Sequence, residues 1–190
     1  MKLLLLAGDG NANDGQPTQA LRPCSTGEIQ LDRSIRNVKQ LGFCIYVVLN
    51  QGNGEDVLRS SKELPSCELI FDPNDNSEFF SLLKAGCFAL EERFFVWALN
   101  LALPDPETFS RLDHHFCTKA HASPYHLIRP YSPSKGNMIP GFPLLITRDG
   151  IKLFRSERIF TSFEDPRLQY SRVPILTKTF ASSLATEQRI

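Results

Sequence analysis

The sequence predicts a three-layer α/β/α domain built on a mainly parallel sheet. Three observations carry this expectation. Short apolar runs stop abruptly at Gly, Asn or Asp, segments with helical apolar spacing separate them, and the alternation repeats along the first 112 residues. Leu3 to Ala7 is a continuous apolar run closed by Gly8, as expected of a strand covered on both faces. Ile29 to Leu41 places Ile29, Leu31, Ile35, Val38 and Leu41 mostly on one helical face, and Gly42 closes it. "CIYVVLN", 44 to 50, reads as a second strand, Val57 to Leu64 as a short helix and "CELIFD", 67 to 72, as a third strand.

"SEFFSLLKAGCFALEERF", 77 to 94, is a strong helix pattern with Ser77 available as its cap. "FFVWAL", 94 to 99, reads as a fourth strand. "DPETFSRL", 105 to 112, opens a helix with Asp105 as N-cap and Pro106 at the first helical position. Beyond it "HLIRPY" and "FPLLITRDG" read as strands in a Pro- and Gly-rich region, and the last dozen residues as a helix. In such sheets ligands bind at the carboxyl ends of the strands. That places the opening loop, Asn50, Asp72 with Pro73, and Asn100 on one rim.

A chain of 190 residues with 42% apolar content supports one domain with a real core. Charges balance at 21 of each sign, which argues against an electrostatic nucleic-acid partner. Cys24, Cys44, Cys67, Cys87 and Cys117 form no CxxC pair, so neither a disulfide framework nor a zinc site is indicated. The apolar run of "MKLLLLAG" is too short for a signal peptide. No segment approaches the roughly 20 apolar residues that span a bilayer. The expectation is a cytoplasmic chain without a membrane or nucleic-acid partner.

The loop after the first strand, "GDGNANDGQPTQAL", is shaped like a phosphate cradle but contains two Asp and no Lys or Arg. It fails three simple templates. A dinucleotide fingerprint accepts Gly8 and Gly10 but meets Asn13 at its third glycine. A Walker A loop accepts Gly10 and Gly15, then meets Gln16 and Pro17 in place of Lys and Ser/Thr. An EF-hand loop accepts Asp9, Asn11 and Asn13, then meets Asp14 at its turn glycine and Ala20 at its bidentate Glu.

A fourth template fits better. The stretch resembles the signature of MobA/MocA-like nucleotidyltransferases, whose first strand runs into LAGGxSxRMG and then Lys-Ala-Leu. Here those become "LAGDGNANDG" and "QAL". "STGEIQLDRSIRNVKQLGFCIYVVLN" is similar to the family's substrate-loop helix and second strand, and "NSEFFSLLKAGCFAL" to its GxxSSLxAGLxAL segment. "FVWALNLALPDPETFSRL" looks like the strand ending in Asp and the helix opened by Pro-Glu, and "GFPLLI" like GHPVLF. "SLATEQRI" sits where such proteins carry DIDTPEDL. The resemblance covers nearly the whole chain and implies the nucleotide-diphospho-sugar transferase-like, Rossmann-like fold.

The departures are as informative as the matches. In the family the loop Arg and Lys hold the triphosphate, while the strand-end Asp and C-terminal acids bear on magnesium. Carried over residue by residue, the Arg becomes Asn13, the Lys Gln19, the strand-end Asp Asn100, and the two C-terminal Asp Ser183 and Ala185. Ala7, Gly8, Gly15, Ala20 and Leu21 persist. The resemblance therefore implies a nucleotide cleft lined by Leu6, Ala7, Gly8, Gly10, Asn13, Gly15, Gln19, Asn50, Asp72 and Asn100, with no catalytic residue and no metal ligand assigned.

Nucleotidyl transfer puts charge on phosphate oxygens and needs a cation clamp. At an effective dielectric of about 20, each opposite-charge contact at about 4 Å is worth about 4 kcal/mol before desolvation. Losing two cations and a metal removes several powers of ten in rate, at about 1.4 kcal/mol per tenfold. Replacement candidates are Asp72, Asp75, Glu78 and Asp105 near the rim, and Arg22 and Arg33 flanking the loop. Each reads more simply as a solvated or capping side chain. His114, His115, His121 and His126 lack ligand-like spacing and suit a surface helix end. Trp97 and the many Phe suit a core. No Ser-His or Cys-His nucleophile pair is visible.

Three functions remain open. One is a catalytically degenerate member of the group that binds a small molecule or protein partner through the old cleft. Another is an active nucleotidyltransferase, acting on a pterin or sugar phosphate with relocated ligands and magnesium as cofactor. The third is an assembly subunit whose cleft is irrelevant, which would carry a large exposed apolar patch away from the strand ends.

Overall fold

The computed structural model describes residues 1–8, 19–73, 79–99, 101, 105–119, 125–134, 137–156, 160 and 162–175. The chain divides into two compact units: Met1–Leu90 with Ala98–Asn100, and Glu91–Trp97 with Leu101–Ile190.

The first unit is a parallel sheet of β1 (Lys2–Leu6), β2 (Cys44–Asn50) and β3 (Glu68–Asp72), with β2 in the middle. Leu3, Leu4 and Leu5 are fully buried, which is why this strand reads as an uninterrupted apolar run. Parallel neighbours need helical crossovers. These are α1 (Gln30–Lys39) between β1 and β2, and α2 (Gln51–Ser60) between β2 and β3. Leu31, Ile35 and Val38 form the buried stripe of α1. Gly42, at φ 77°, ends it by donating its N–H to the Lys39 carbonyl at 2.9 Å.

The third helix, α3 (Phe79–Ala89), lies on the opposite face from α2. Successive strand residues point to opposite faces. Asp72 receives the Ser81 hydroxyl of α3, whereas Phe71 lies 3.2 Å from where a Cβ on Gly54 of α2 would sit. Glycines allow close approach on the α3 side too: a Cβ on Gly86 would overlap the Leu4 methyls. Helices on both faces of a parallel sheet are the three layers the sequence predicts.

The second unit contains β4 (Phe94–Ala98) as far as Trp97, α4 (Pro106–Lys119), β5 (Leu127–Ser134), β6 (Asn137–Pro140), β7 (Leu144–Ile146), α5 (Arg148–Ser156) and β8 (Tyr170–Pro174). Here β7 pairs antiparallel with β4 and β5, β6 pairs antiparallel with β5, and β8 runs parallel to β5. Phe95 of β4 meets Phe109 of α4 edge-on, with ring centroids 5.1 Å apart, and Trp97 is buried. Asp105 caps α4 as expected, its Oδ1 accepting the Glu107 N–H at 2.9 Å.

Several boundaries differ from expectation. The helix expected at 57–64 runs from Gln51 to Ser60, directly off β2. Gly54 in its first turn lies where an added Cβ would fall 3.2 Å from the Phe71 ring. The helix expected to reach residue 94 ends at Ala89. "FPLLITRDG" is a three-residue strand followed by a helix start, because Thr147 caps α5 by accepting the Gly150 N–H at 3.1 Å. β8 was not anticipated. Ser77 and the C-terminal helix lie outside the described residues.

Candidate functional site

The candidate site is the carboxyl end of the first unit's sheet. Parallel strands all terminate there, so backbone and side chains from distant sequence positions converge. Asn50 and Asp72 are register partners at the ends of β2 and β3. Leu6 and Ala7 are buried at the end of β1, and the Ala7 N–H donates to the Val48 carbonyl at 3.0 Å. Leu99, also of the first unit, lies at the same end, its N–H donating to the Leu6 carbonyl at 3.1 Å. The residue that follows is Asn100.

Gly8 begins the turn out of β1 and lies against α3. A Cβ there would fall 2.7 and 2.9 Å from the two Leu82 methyls. A side chain at this position would displace the Leu82 methyls, a steric reason for Gly independent of any ligand. Gln19 opens the short 3-10 turn Gln19–Leu21, which packs its buried Ala20 against α1 and α2. From there the chain makes a narrow loop. Cys24 N–H donates to the Glu28 carbonyl at 2.7 Å, Gly27 turns at φ 77°, and the Gln30 N–H donates to the Arg22 carbonyl at 2.9 Å.

Asp72 is the carboxylate that the described residues place at this end. It is 1% exposed, and its Oδ2 accepts the Ser81 hydroxyl at 2.6 Å. Asn50, also buried, offers a neutral amide beside it. Magnesium takes hard oxygen donors, usually one or two carboxylates plus substrate phosphates. A single buried carboxylate already holding a hydroxyl is a poor fit to that donor set. Among the described residues no group of three or more His, Cys, Asp or Glu could hold a metal ion. The flanking cations Arg22 and Arg33 are exposed, and Asp105 serves as the α4 cap.

The structure thus brings Leu6, Ala7, Gly8, Asn50 and Asp72 to one end of the sheet, with Gln19 in the adjoining 3-10 turn. Gly10, Asn13, Gly15, Asn100, Ser183 and Ala185 lie outside the described residues, as do Asp9, Asp14, Asp75, Glu78 and His121. Two residues escaped sequence reasoning. Gln30, in the first turn of α1, donates its Nε2 to the Leu99 carbonyl at 2.8 Å. Ser81 fixes Asp72. Both are polar residues in apolar helical patterns, and that was the only available signal.

No protein-family profile matches the chain, and no curated protein matches it in sequence. Solved structures do match in shape. The crystal structure of a Mycobacterium tuberculosis rv0371c homolog from Mycobacterium sp. strain JC1 aligns over 99% of this chain and 93% of its own, at TM-score 0.72 and 13% identity. A CMP:2-keto-3-deoxy-manno-octonic acid synthetase complexed with CTP aligns over 99% and 96%, at TM-score 0.67 and 10% identity. The 4-diphosphocytidyl-2C-methyl-D-erythritol synthase of Anaerococcus prevotii aligns over 99% and 97%, at TM-score 0.58 and 14% identity. At these identities the likeness is one of architecture: the chain has the nucleotide-diphospho-sugar transferase-like α/β fold of nucleotidyltransferases.

Proposed function

We propose that the chain is a MobA-like member of the nucleotidyltransferase fold that has lost catalysis and binds a small molecule or a protein partner through the former nucleotide cleft, in the cytoplasm. One observation carries this reading. At every aligned position where the resembling family places a phosphate-holding cation or a metal-binding acid, this chain has Asn13, Gln19, Asn100, Ser183 or Ala185. The residues that shape the turn, Ala7, Gly8 and Ala20, persist and pack in its framework. The burial of Asp72 against Ser81 supports the same reading, since among the described strand-end residues it leaves little charge to offer a metal. Backbone N–H groups and neutral amides suit an uncharged or weakly anionic ligand better than a magnesium triphosphate.

A second reading, an active enzyme with relocated ligands, draws on Arg22 and Arg33. Both are exposed cations on the segment that follows the loop, able to swing toward a phosphate. Magnesium would then be the cofactor, and a molybdopterin-like or sugar-phosphate molecule the acceptor. Isothermal calorimetry with each nucleoside triphosphate, with and without magnesium, separates the two. The degenerate reading predicts no metal-dependent heat. Micromolar binding that requires magnesium overturns it.

A further inference from the structure

The second unit carries a groove that none of the strand-end residues lines. One stripe of α4 forms its wall, with Arg111, His114, His115, Thr118 and Lys119 recurring at the spacing of one helical face. Val173 and Pro174 of β8 form its apolar floor, and the space measures about 560 Å3. That volume lies within the roughly 300–1,000 Å3 of small-molecule sites. The opposite stripe of α4 is anchored by buried Phe109 and Leu112. His115 ties the helix to β8, its Nε2 lying 2.7 Å from Ser171 Oγ.

The charges are unevenly distributed along the groove. Glu107, the one carboxylate among the described lining residues, lies in the first turn of α4 and holds Arg111 through Nε at 2.9 Å and a terminal nitrogen at 2.6 Å. The other end has His114, His115 and Lys119, and no acid among the described residues that line it. Asp113, elsewhere on the helix, pairs with Arg93 at 3.1 Å. On β8, Tyr170 and Arg172 alternate with Ser171, and the Arg172 guanidinium stacks on Tyr131 and Tyr170. The helix C-terminus contributes about half a negative charge, less than Lys119 alone supplies.

We infer that this groove binds a small organic oxyanion of the phosphate-ester class, with the anion between His114, His115 and Lys119 and the organic body on Val173 and Pro174. The inference rests on none of the strand-end residues and so stands or falls separately from the cleft. Bound anion favours protonated imidazole, so binding strengthens as pH falls. By linkage, each imidazole that gains its proton on binding contributes up to about tenfold per pH unit.

The test follows the imidazole NMR signals of the full chain while titrating inorganic sulfate and naphthalene disulfonate, whose charges do not change between about pH 5.5 and 8. The expected result is saturable shifts of His114 and His115, with binding about tenfold tighter at the lower pH. Lys119→Ala and His114→Ala, both at exposed positions, are expected to weaken it about tenfold each without unfolding the protein. Absence of saturable shifts, shifts confined to other residues, or undiminished binding by both variants overturns the inference.

Discussion

Replacing Gly8 by Ala probes the contact that fixes where the loop leaves β1. The added Cβ would lie 2.7 and 2.9 Å from the Leu82 methyls and 3.3 Å from its Cγ. Leu82 must then retreat by several tenths of an ångström, yet it is only 2% exposed and packed between helix and sheet. Forcing a methyl into a close-packed interior costs about 1–3 kcal/mol. Leu82→Ala alone leaves a cavity and costs about 2–5 kcal/mol. In the double variant the shortened side chain accepts the new methyl, so its cost falls short of the summed single costs by at least about 1 kcal/mol. Urea unfolding of the parent, both single variants and the double variant measures this directly. Gly52→Ala is the control: Gly52 is an exposed α2 residue with nothing within 4 Å of its would-be Cβ. It is expected to gain up to about 1 kcal/mol from helix propensity. Single-variant costs that add to within about 0.5 kcal/mol, or a neutral Gly8→Ala, would refute the argument.

Gly150→Ala is expected to lower stability by about 1–3 kcal/mol despite the better helix former, because the Cβ would strike the His126 backbone carbonyl, which cannot rotate away; thermal or urea unfolding reads it. His115 and His126 are expected to titrate below 6.5 by NMR, each held down chiefly by burial, with Lys119 and His114 adding to the effect at His115. Their folded-state pKa values lie below the unfolded ones. The stability they contribute is therefore complete above about pH 6.5 and is lost as pH falls through the folded values, and Lys119→Ala should raise the His115 midpoint. Asp165, beside Arg167, should titrate at about 2 and return toward 3.8 in Arg167→Ala.

The first unit was legible chiefly because β1 and most of β2 are buried. Leu3 to Leu6 and "CIYVVLN" carry their assignment in composition alone, and α1 shows its stripe at Leu31, Ile35 and Val38. Misreadings cluster where tertiary contact outweighs local propensity. The helix expected at 57–64 starts earlier, at Gln51, where Gly54 lies against Phe71, a residue 17 positions later. In the second unit, β7 is only three residues long, too short to show its alternation, and α5 begins at once behind Thr147, so strand and helix run together in the sequence. The strand-end site was legible as a location, since Asn50 and Asp72 were placed on one rim and are register partners. Its supporting contacts, Gln30 to Leu99 and Ser81 to Asp72, were not: each links residues whose pairing depends on the folded sheet.

The proposed function is a chain that keeps this fold, carries Asn13, Gln19 and Asn100 where the resembling family has charged residues, and moves no nucleotidyl group. Pyrophosphate release from each nucleoside triphosphate, measured with magnesium over a panel of pterin and sugar-phosphate acceptors, decides whether that proposal stands. Release no faster than in buffer alone is the expected result, and sustained, acceptor-dependent turnover would contradict it.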